Sequence, residues 1–196
     1  MLITIVWVGL AYLIGSISTA IVFCRLQGLP DPRTQGSGNP GTSNALRLYG
    51  KKAAIIVLMG DAVKGMLPVW GASLMGVPYL ALAWIVFAAV LGHIFPVFFR
   101  FQGGKGVATA WGGLMALSTP LGLLLLATWI PVVTIWRYSS LGALITAILS
   151  PIYAIWLFGY SNAIPLILIS ALLIWRHKDN IQRLRTSTES KVNFDK

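Results

Sequence analysis

Acidic side chains are nearly missing from this chain: five Asp or Glu stand among 196 residues, against 15 Lys or Arg. Charged residues of both signs make up only 10%, where a soluble domain carries about 25%. Cysteine occurs once, at Cys24, which excludes a disulfide scaffold within the chain. The two histidines, His93 and His177, are far apart, and with so few carboxylates they form no metal-ligand set; no metal and no cofactor is expected. No pair of carboxylates suits glycosidase chemistry. Neither histidine opens an H-x-x-x-x-D acyltransferase dyad, because Phe98 and Gln182 stand where the Asp belongs. What abounds instead is apolar surface, 57% of residues, more than one domain of this length could hide from water. Disorder, collagen-like repeats and a soluble globular enzyme are excluded on the same grounds. The chain reads as one integral membrane domain over 1–196, an all-α, polytopic helical bundle.

The net charge of +10 raises nucleic acid as a partner, but no basic stripe interleaved with exposed aromatics is present, so none is expected. Cytoplasmic loops of membrane proteins collect Lys and Arg for a simpler reason, contact with anionic lipid headgroups. The first apolar run, 2–24, is uncharged and too long for a signal-peptide core, which predicts a retained span. Further spans are expected at 53–75, 79–99, 141–158 and 164–175. The stretch 107–136 would make a helix about 45 Å long, too long for one crossing of about 30 Å. Ser118-Thr119-Pro120 breaks it into two short spans or a re-entrant hairpin.

Loop charge predicts the orientation. With about seven crossings, some short, and the N-terminus outside, fourteen of the fifteen basic residues fall in segments 25–52, 100–106, 137–138 and 176–196, and the outside loops hold none. The positive-inside rule prefers this arrangement, with a cytoplasmic C-terminus. The outside loops, 76–78, 118–120 and 159–162, leave little room for a site, so the chemistry is expected on the cytoplasmic face.

Three segments there could carry it. Gly36-Ser37-Gly38-Asn39-Pro40-Gly41 matches G-x-G-x-x-G, but that pattern signals a dinucleotide only between a strand and a helix, and no strand precedes it. What survives is the physics of anion binding. Glycine backbone N–H groups approach closely, Ser37, Asn39 and Arg47 add donors, and helix-start residues Thr42, Ser43 and Asn44 follow. The second segment, Gly103-Gly104-Lys105-Gly106-Val107-Ala108-Thr109, is not a Walker A loop, since Gly106 replaces the required Ser or Thr. Three glycines around one Lys, just before a span, still suit an anion. In the third, Arg176-His177-Lys178-Asp179-Asn180, a helix would put His177 and Asn180 on one face, where the amide could orient the imidazole or hold a substrate oxygen. The bland readings are a flexible loop, a glycine turn with an interface-anchoring Lys, and a structural His. Asp61 and Lys64, three apart within a span, each cost roughly 2.5–3.5 kcal/mol at its centre and are expected to pair. The pair reads as structural before functional. His93, near the inner end of its span, suits capping or packing as well as reaction. An anion transporter is the competing class; it calls for internal repeats and midplane broken helices, and no repeat is visible.

Taken together, GSGN with Asn44 and Arg47, then Leu91-Gly92-His93 with Phe95-Pro96 running into GGKGVAT, then His177, Asn180, Arg183-Leu184 and Glu189 resemble the bacterial membrane acyl-phosphate:glycerol-3-phosphate acyltransferase family over essentially the whole chain. The departures are Thr42-Ser43 for the usual Ala-Thr and Ser187 for the usual Gly. The resemblance implies seven helices in a bacterial inner membrane and transfer of an acyl chain from acyl phosphate to the 1-hydroxyl of sn-glycerol 3-phosphate. The products are lysophosphatidic acid and phosphate, the first acylation of phospholipid synthesis, and membrane lipid is the only other partner, with no obligatory protein partner. It carries over Ser37, Asn39, Arg47, Lys105, His177 and Asn180. With the residue reading, the expected catalytic set is Ser37, His177, Asn180 and Lys105. The expected phosphate and acyl-phosphate contacts are Gly36, Gly38, Asn39, Arg47, Gly103, Gly104 and Gly106, supported by Asn44, His93 and Glu189.

Overall fold

The computed structural model describes residues 1–160 and 163–193. Among them the chain is all-helical, and it divides into two compact units, Met1–Leu117 and the part from Ser118 onward. The first unit holds α1 (Leu2–Gly15), α2 (Thr19–Leu26), α3 (Thr42–Leu74), α4 (Tyr79–Ile94), a 3-10 turn (Val97–Phe99) and α5 (Val107–Leu117). The second holds α6 (Thr119–Trp136), α7 (Ser139–Phe158), α8 (Ile164–Arg176) and α9 (Lys178–Arg185). The sequence-predicted loop 159–162 and Lys196 lie partly or wholly outside the described residues.

Four stretches are long and apolar enough to cross a bilayer: α3, α4 with its 3-10 turn, α6 and α7. The bent pair α1–α2 makes a fifth when taken as one broken span, and α5 and α8 are shorter apolar helices, so the apolar segments fall where the sequence places them. Helix α3 is broken at Gly50, where φ is 81°, and the part after it is about 36 Å long at 1.5 Å per residue, enough to span. Outward faces carry Ile55, Met59 and Trp70 on α3 and Ile148, Ile152 and Trp156 on α7, all exposed, as lipid contact requires.

Lipid tails are as apolar as leucine, so helices in a bilayer gain little from hydrophobicity and associate by close packing. Small residues make that closeness here. Helix α3 meets α5 so tightly that a methyl at Gly65 would overlap the Thr109 carbonyl, and one at Gly112 the Ala62 carbonyl. Helices α1 and α4 approach in the same way, Gly15 against the Ala89 carbonyl and Gly92 against that of Tyr12.

Two details differ from the sequence reading or refine it. The segment 2–24 is not one straight span but bends by 45° between α1 and α2. Ser16 Oγ turns back onto the Tyr12 carbonyl at 2.8 Å, a bond that favours bending. The Ile17 carbonyl takes the Lys64 ammonium at 2.7 Å. The partner that fills the bend lies in α3, so apolarity and length along 2–24 could not show it. The stretch 107–136 is two helices, as expected. Ser118 is extended at φ −157° and its hydroxyl accepts from the Leu121 N–H at 3.4 Å. Pro120 sits in the first turn of α6, where a missing N–H costs little.

Candidate active site

In the first unit the 36–39 loop is built around one side chain. Asn44, in the first turn of α3 and 2% exposed, accepts from the Ser37 N–H at 3.0 Å and donates to the carbonyls of Pro32 at 3.0 Å and Gln35 at 3.2 Å. The sequence marks Asn44 as part of a helix start; in the structure its amide instead turns back and shapes the loop. Gly36 and Gly38 have φ of 59° and 68°, a region only glycine enters without strain, and a methyl at Gly36 would overlap the Asn44 side chain. Ser37 is exposed and Asn39 half-buried. Arg47 is exposed, and its guanidinium reaches Asn44 Oδ1 at 3.4 Å.

The second glycine loop belongs to the same unit. Arg33 links the two segments: its Nη1 donates to the Phe99 carbonyl at 3.1 Å, and its Nη2 pairs with Asp31 at 2.6 Å. Hydrogen bonds from Arg33 hold the Asp31 carboxyl below the usual carboxylate range, against a smaller opposing effect of burial. The Arg25 guanidinium lies over the Phe99 ring, 5.4 Å from its centre. Arg33 thus ties the segment carrying Gly36, Ser37, Gly38 and Asn39 to the turn that leads into Gly103, Gly104, Lys105 and Gly106. Arg100 and Phe101 both take left-handed backbone, φ 57° and 58°, strain of the kind that collects at functional turns. Gly103, Gly104 and Gly106 are buried and Lys105 half-buried.

Beneath this loop lies a buried polar cluster. Lys64 Nζ is 2.9 Å from Asp61 Oδ1, the pairing the i, i+3 spacing predicted. Thr19 Oγ1 donates to the same carboxylate oxygen at 3.0 Å, and His93 Nδ1 lies 3.7 Å from it. Thr109 Oγ1 meets His93 Nδ1 at 3.2 Å. Asp61, Lys64, His93 and Thr109 are each at most 6% exposed. Thr19 carries no signal in the sequence, whereas Thr109 stands there as the last residue of the GGKGVAT motif.

In the second unit His177 forms the junction of α8 and α9 and is 4% exposed. Its Nδ1 lies 2.7 Å from the Leu173 carbonyl. A carbonyl only accepts, so Nδ1 carries the proton, and Nε2 is the basic nitrogen of the neutral ring. The sequence leaves Asn180 two roles, orienting the imidazole or holding a substrate oxygen; in the structure His177 Nδ1 meets the Leu173 carbonyl and Asn180 Nδ2 donates to Glu189 Oε1 at 2.6 Å. Glu189 also accepts from Ser140 Oγ at 2.6 Å and Arg183 Nε at 2.7 Å. Burial disfavours its charged form, but these three donors outweigh burial and hold the carboxyl below its usual range. Ser187 sits at φ 56° in the turn between, which explains why a glycine is usual there.

Among the described residues no cluster of three or more His, Cys, Asp or Glu could hold a metal ion. The fold defines a polytopic, all-helical membrane protein whose first unit presents two glycine loops with basic side chains. The family model for glycerol-3-phosphate acyltransferase matches residues 5–187. A glycerol-3-phosphate acyltransferase of Shewanella loihica is 52% identical over 195 residues, covering 100% of this chain and 96% of its own. One of Coxiella burnetii is 50% identical over 190 residues, 97% and 98% of the two chains. The crystal structure of PlsY (YgiH), an integral membrane glycerol 3-phosphate acyltransferase, in its glycerol 3-phosphate form superposes with a TM-score of 0.90 at 37% identity, covering 97% of this chain and 96% of that one. Its lysophosphatidic acid form gives 0.88 at 36% identity. This chain belongs to the glycerol-3-phosphate acyltransferase family.

Proposed function

We propose that the chain transfers an acyl group from acyl phosphate to the 1-hydroxyl of sn-glycerol 3-phosphate, at the cytoplasmic face of a bacterial inner membrane. Family membership supports the acyltransferase class and the acceptor. The observation that carries the donor is the pair of glycine loops in the first unit. They combine backbone N–H groups with Arg47 and Lys105, which suits phosphate rather than a bulky carrier.

In this reading the acceptor oxygen attacks the acyl carbon, the bond from that carbon to the phosphate oxygen breaks, and phosphate leaves with the bonding pair. Lys105 offsets the negative charge on the donor's phosphate as a point charge. Ser37 and Asn39 donate to a phosphate or to the developing oxyanion. The hydroxyl proton goes to His177 Nε2, the basic nitrogen when Nδ1 donates to the Leu173 carbonyl, or to an oxygen of the donor's phosphate. Asn180, held by Glu189, offers a group for the acceptor. The acyl tail stays in the apolar surroundings of the helices.

Detergent-solubilised protein given palmitoyl phosphate and glycerol 3-phosphate tests this. Phosphate release and lysophosphatidic acid that both require the two substrates are the expected result. Turnover with palmitoyl-CoA and none with palmitoyl phosphate would overturn the donor assignment. Binding without turnover of either donor would overturn the reaction itself.

A further inference from the structure

We propose that His93 is a positioning residue for the Gly103–Lys105 backbone, and that it ties this phosphate loop to the intramembrane Asp61–Lys64 ion pair. The proposal rests on the assignment of the loop to the donor's phosphate.

His93 touches the segment on both sides of Lys105. Before it, the Gly104 N–H donates to the His93 carbonyl at 3.2 Å. Gly103 lies so close to that carbonyl, and Gly104 so close to imidazole Nε2, that a methyl on either would overlap them. After it, Thr109 in the first turn of α5 meets Nδ1 at 3.2 Å. The ring therefore stands between the loop's entry and its exit, and its seat decides where the Lys105 backbone lies.

The seat is fixed from below. Asp61 Oδ1 lies 3.7 Å from Nδ1. The Asp61 carboxylate and the Thr109 hydroxyl both face Nδ1, while the Nε2 edge of the ring packs against Gly104. Asp61 is in turn held by Lys64 at 2.9 Å and Thr19 at 3.0 Å, and Lys64 by the Ile17 carbonyl at 2.7 Å. Two charges buried in a membrane segment are costly, and they serve here as a rigid footing that runs from the α1–α2 bend through α3 and α4 to the loop. Simple helix association does not call for such a pair, since the glycine contacts between α3 and α5 already supply close packing.

The two amides that resemble histidine separate positioning from bulk packing. Asparagine places a nitrogen near the Nδ1 position but cannot reach Gly104; glutamine reaches the Nε2 position. Two readouts are taken on the full-length protein in detergent: steady-state kinetics with palmitoyl phosphate and glycerol 3-phosphate, and amide hydrogen exchange. His93→Asn is expected to speed exchange in 103–106 with little change elsewhere and to raise the donor KM far more than the acceptor KM. The loss in kcat/KM for the donor should approach about 10²-fold, the scale of a misplacement near 1 Å. His93→Gln, which keeps the reach to Gly104 but not the contacts made by Nδ1, should recover part of both effects. Unchanged exchange and kinetics in His93→Asn would overturn the proposal. So would equal losses in both variants with exchange rising throughout α3, α4 and α5, which is what bulk packing predicts. If the wild-type protein shows no turnover while the exchange change stays confined to 103–106, the positioning role stands and the donor assignment falls.

Discussion

The Asn180 amide donates to the Glu189 carboxylate at 2.6 Å, and that bond folds the tail after α9 back onto the helix that carries His177. Ser140, at the start of α7, and Arg183 complete the shell around the same carboxylate. The tail is fastened a second time by Arg137, whose Nε donates to the Val192 carbonyl at 3.1 Å.

This arrangement predicts how the tail responds to acid. The folded Glu189 carboxyl titrates below the value of an ordinary, unfolded Glu, because the bonds from Ser140, Asn180 and Arg183 outweigh burial. Its contribution is therefore complete above that unfolded value and is lost as pH falls through the lower folded one. Amide exchange in 186–193 should stay slow from neutral pH down to that region and accelerate only below it. Glu189→Gln should exchange faster at neutral pH and lose the acid-dependent step. A wild-type step centred near neutral pH would contradict the assignment.

Asn44→Ala should collapse the 36–39 loop. It removes the partner of the Ser37 N–H and two bonds to the Pro32 and Gln35 carbonyls, where each buried group left unsatisfied costs about 1–3 kcal/mol. Asn44→Asp keeps the acceptor but loses the donor, so it should rescue poorly. The check is activity beside thermal stability of each variant. Near-normal kcat/KM in Asn44→Ala would show that this loop does not bind substrate.

Lys105→Ala should lower kcat/KM for acyl phosphate by about 10²–10³-fold, because a phosphate shielded from water lacks its counter-charge. Lys105→Arg should restore little, since a planar fork of donors does not replace a compact ammonium between glycines. Full activity in the arginine variant would mean that charge alone suffices.

His177→Gln keeps a donor but cannot titrate. If His177 Nε2 takes the proton, turnover should fall about 10²–10⁴-fold, and the limb of the pH–rate profile near the imidazole pKa should vanish. If a phosphate oxygen takes it, the loss should appear mainly in the acceptor KM while that limb persists. Wild-type kinetics would remove His177 from the site.

A reporter active only in the cytoplasm, fused after Lys196, should be active, because the basic residues cluster on one side of the expected spans. A stably expressed but inactive fusion would reverse the orientation and move both glycine loops to the other face.

The apolar runs announced the spans because a bilayer demands continuous apolar helix, and that demand is local in sequence. The glycine motifs were equally legible, since Gly36, Gly38 and Gly106 answer a backbone requirement that shows wherever the residue type does. The Asp61–Lys64 pair followed from spacing within one helix. The partners beyond each segment were hidden: Thr19 for Asp61, Thr109 for His93, Ser140 for Glu189 and Phe99 for Arg33 lie between 16 and 66 positions away.

The sequence by itself therefore determined the class of the protein, its helices and the residue types available to hold phosphate, because composition and short-range periodicity act along the chain. Only the tertiary structure decided what each candidate does. The bend after Gly15 opens toward Lys64, Asn44 serves a loop rather than a helix cap, and the His177 tautomer follows from a carbonyl one turn back. Those outcomes depend on which donor meets which acceptor once the helices pack, and hydrogen bonds act over about 3 Å of space whatever the separation in sequence.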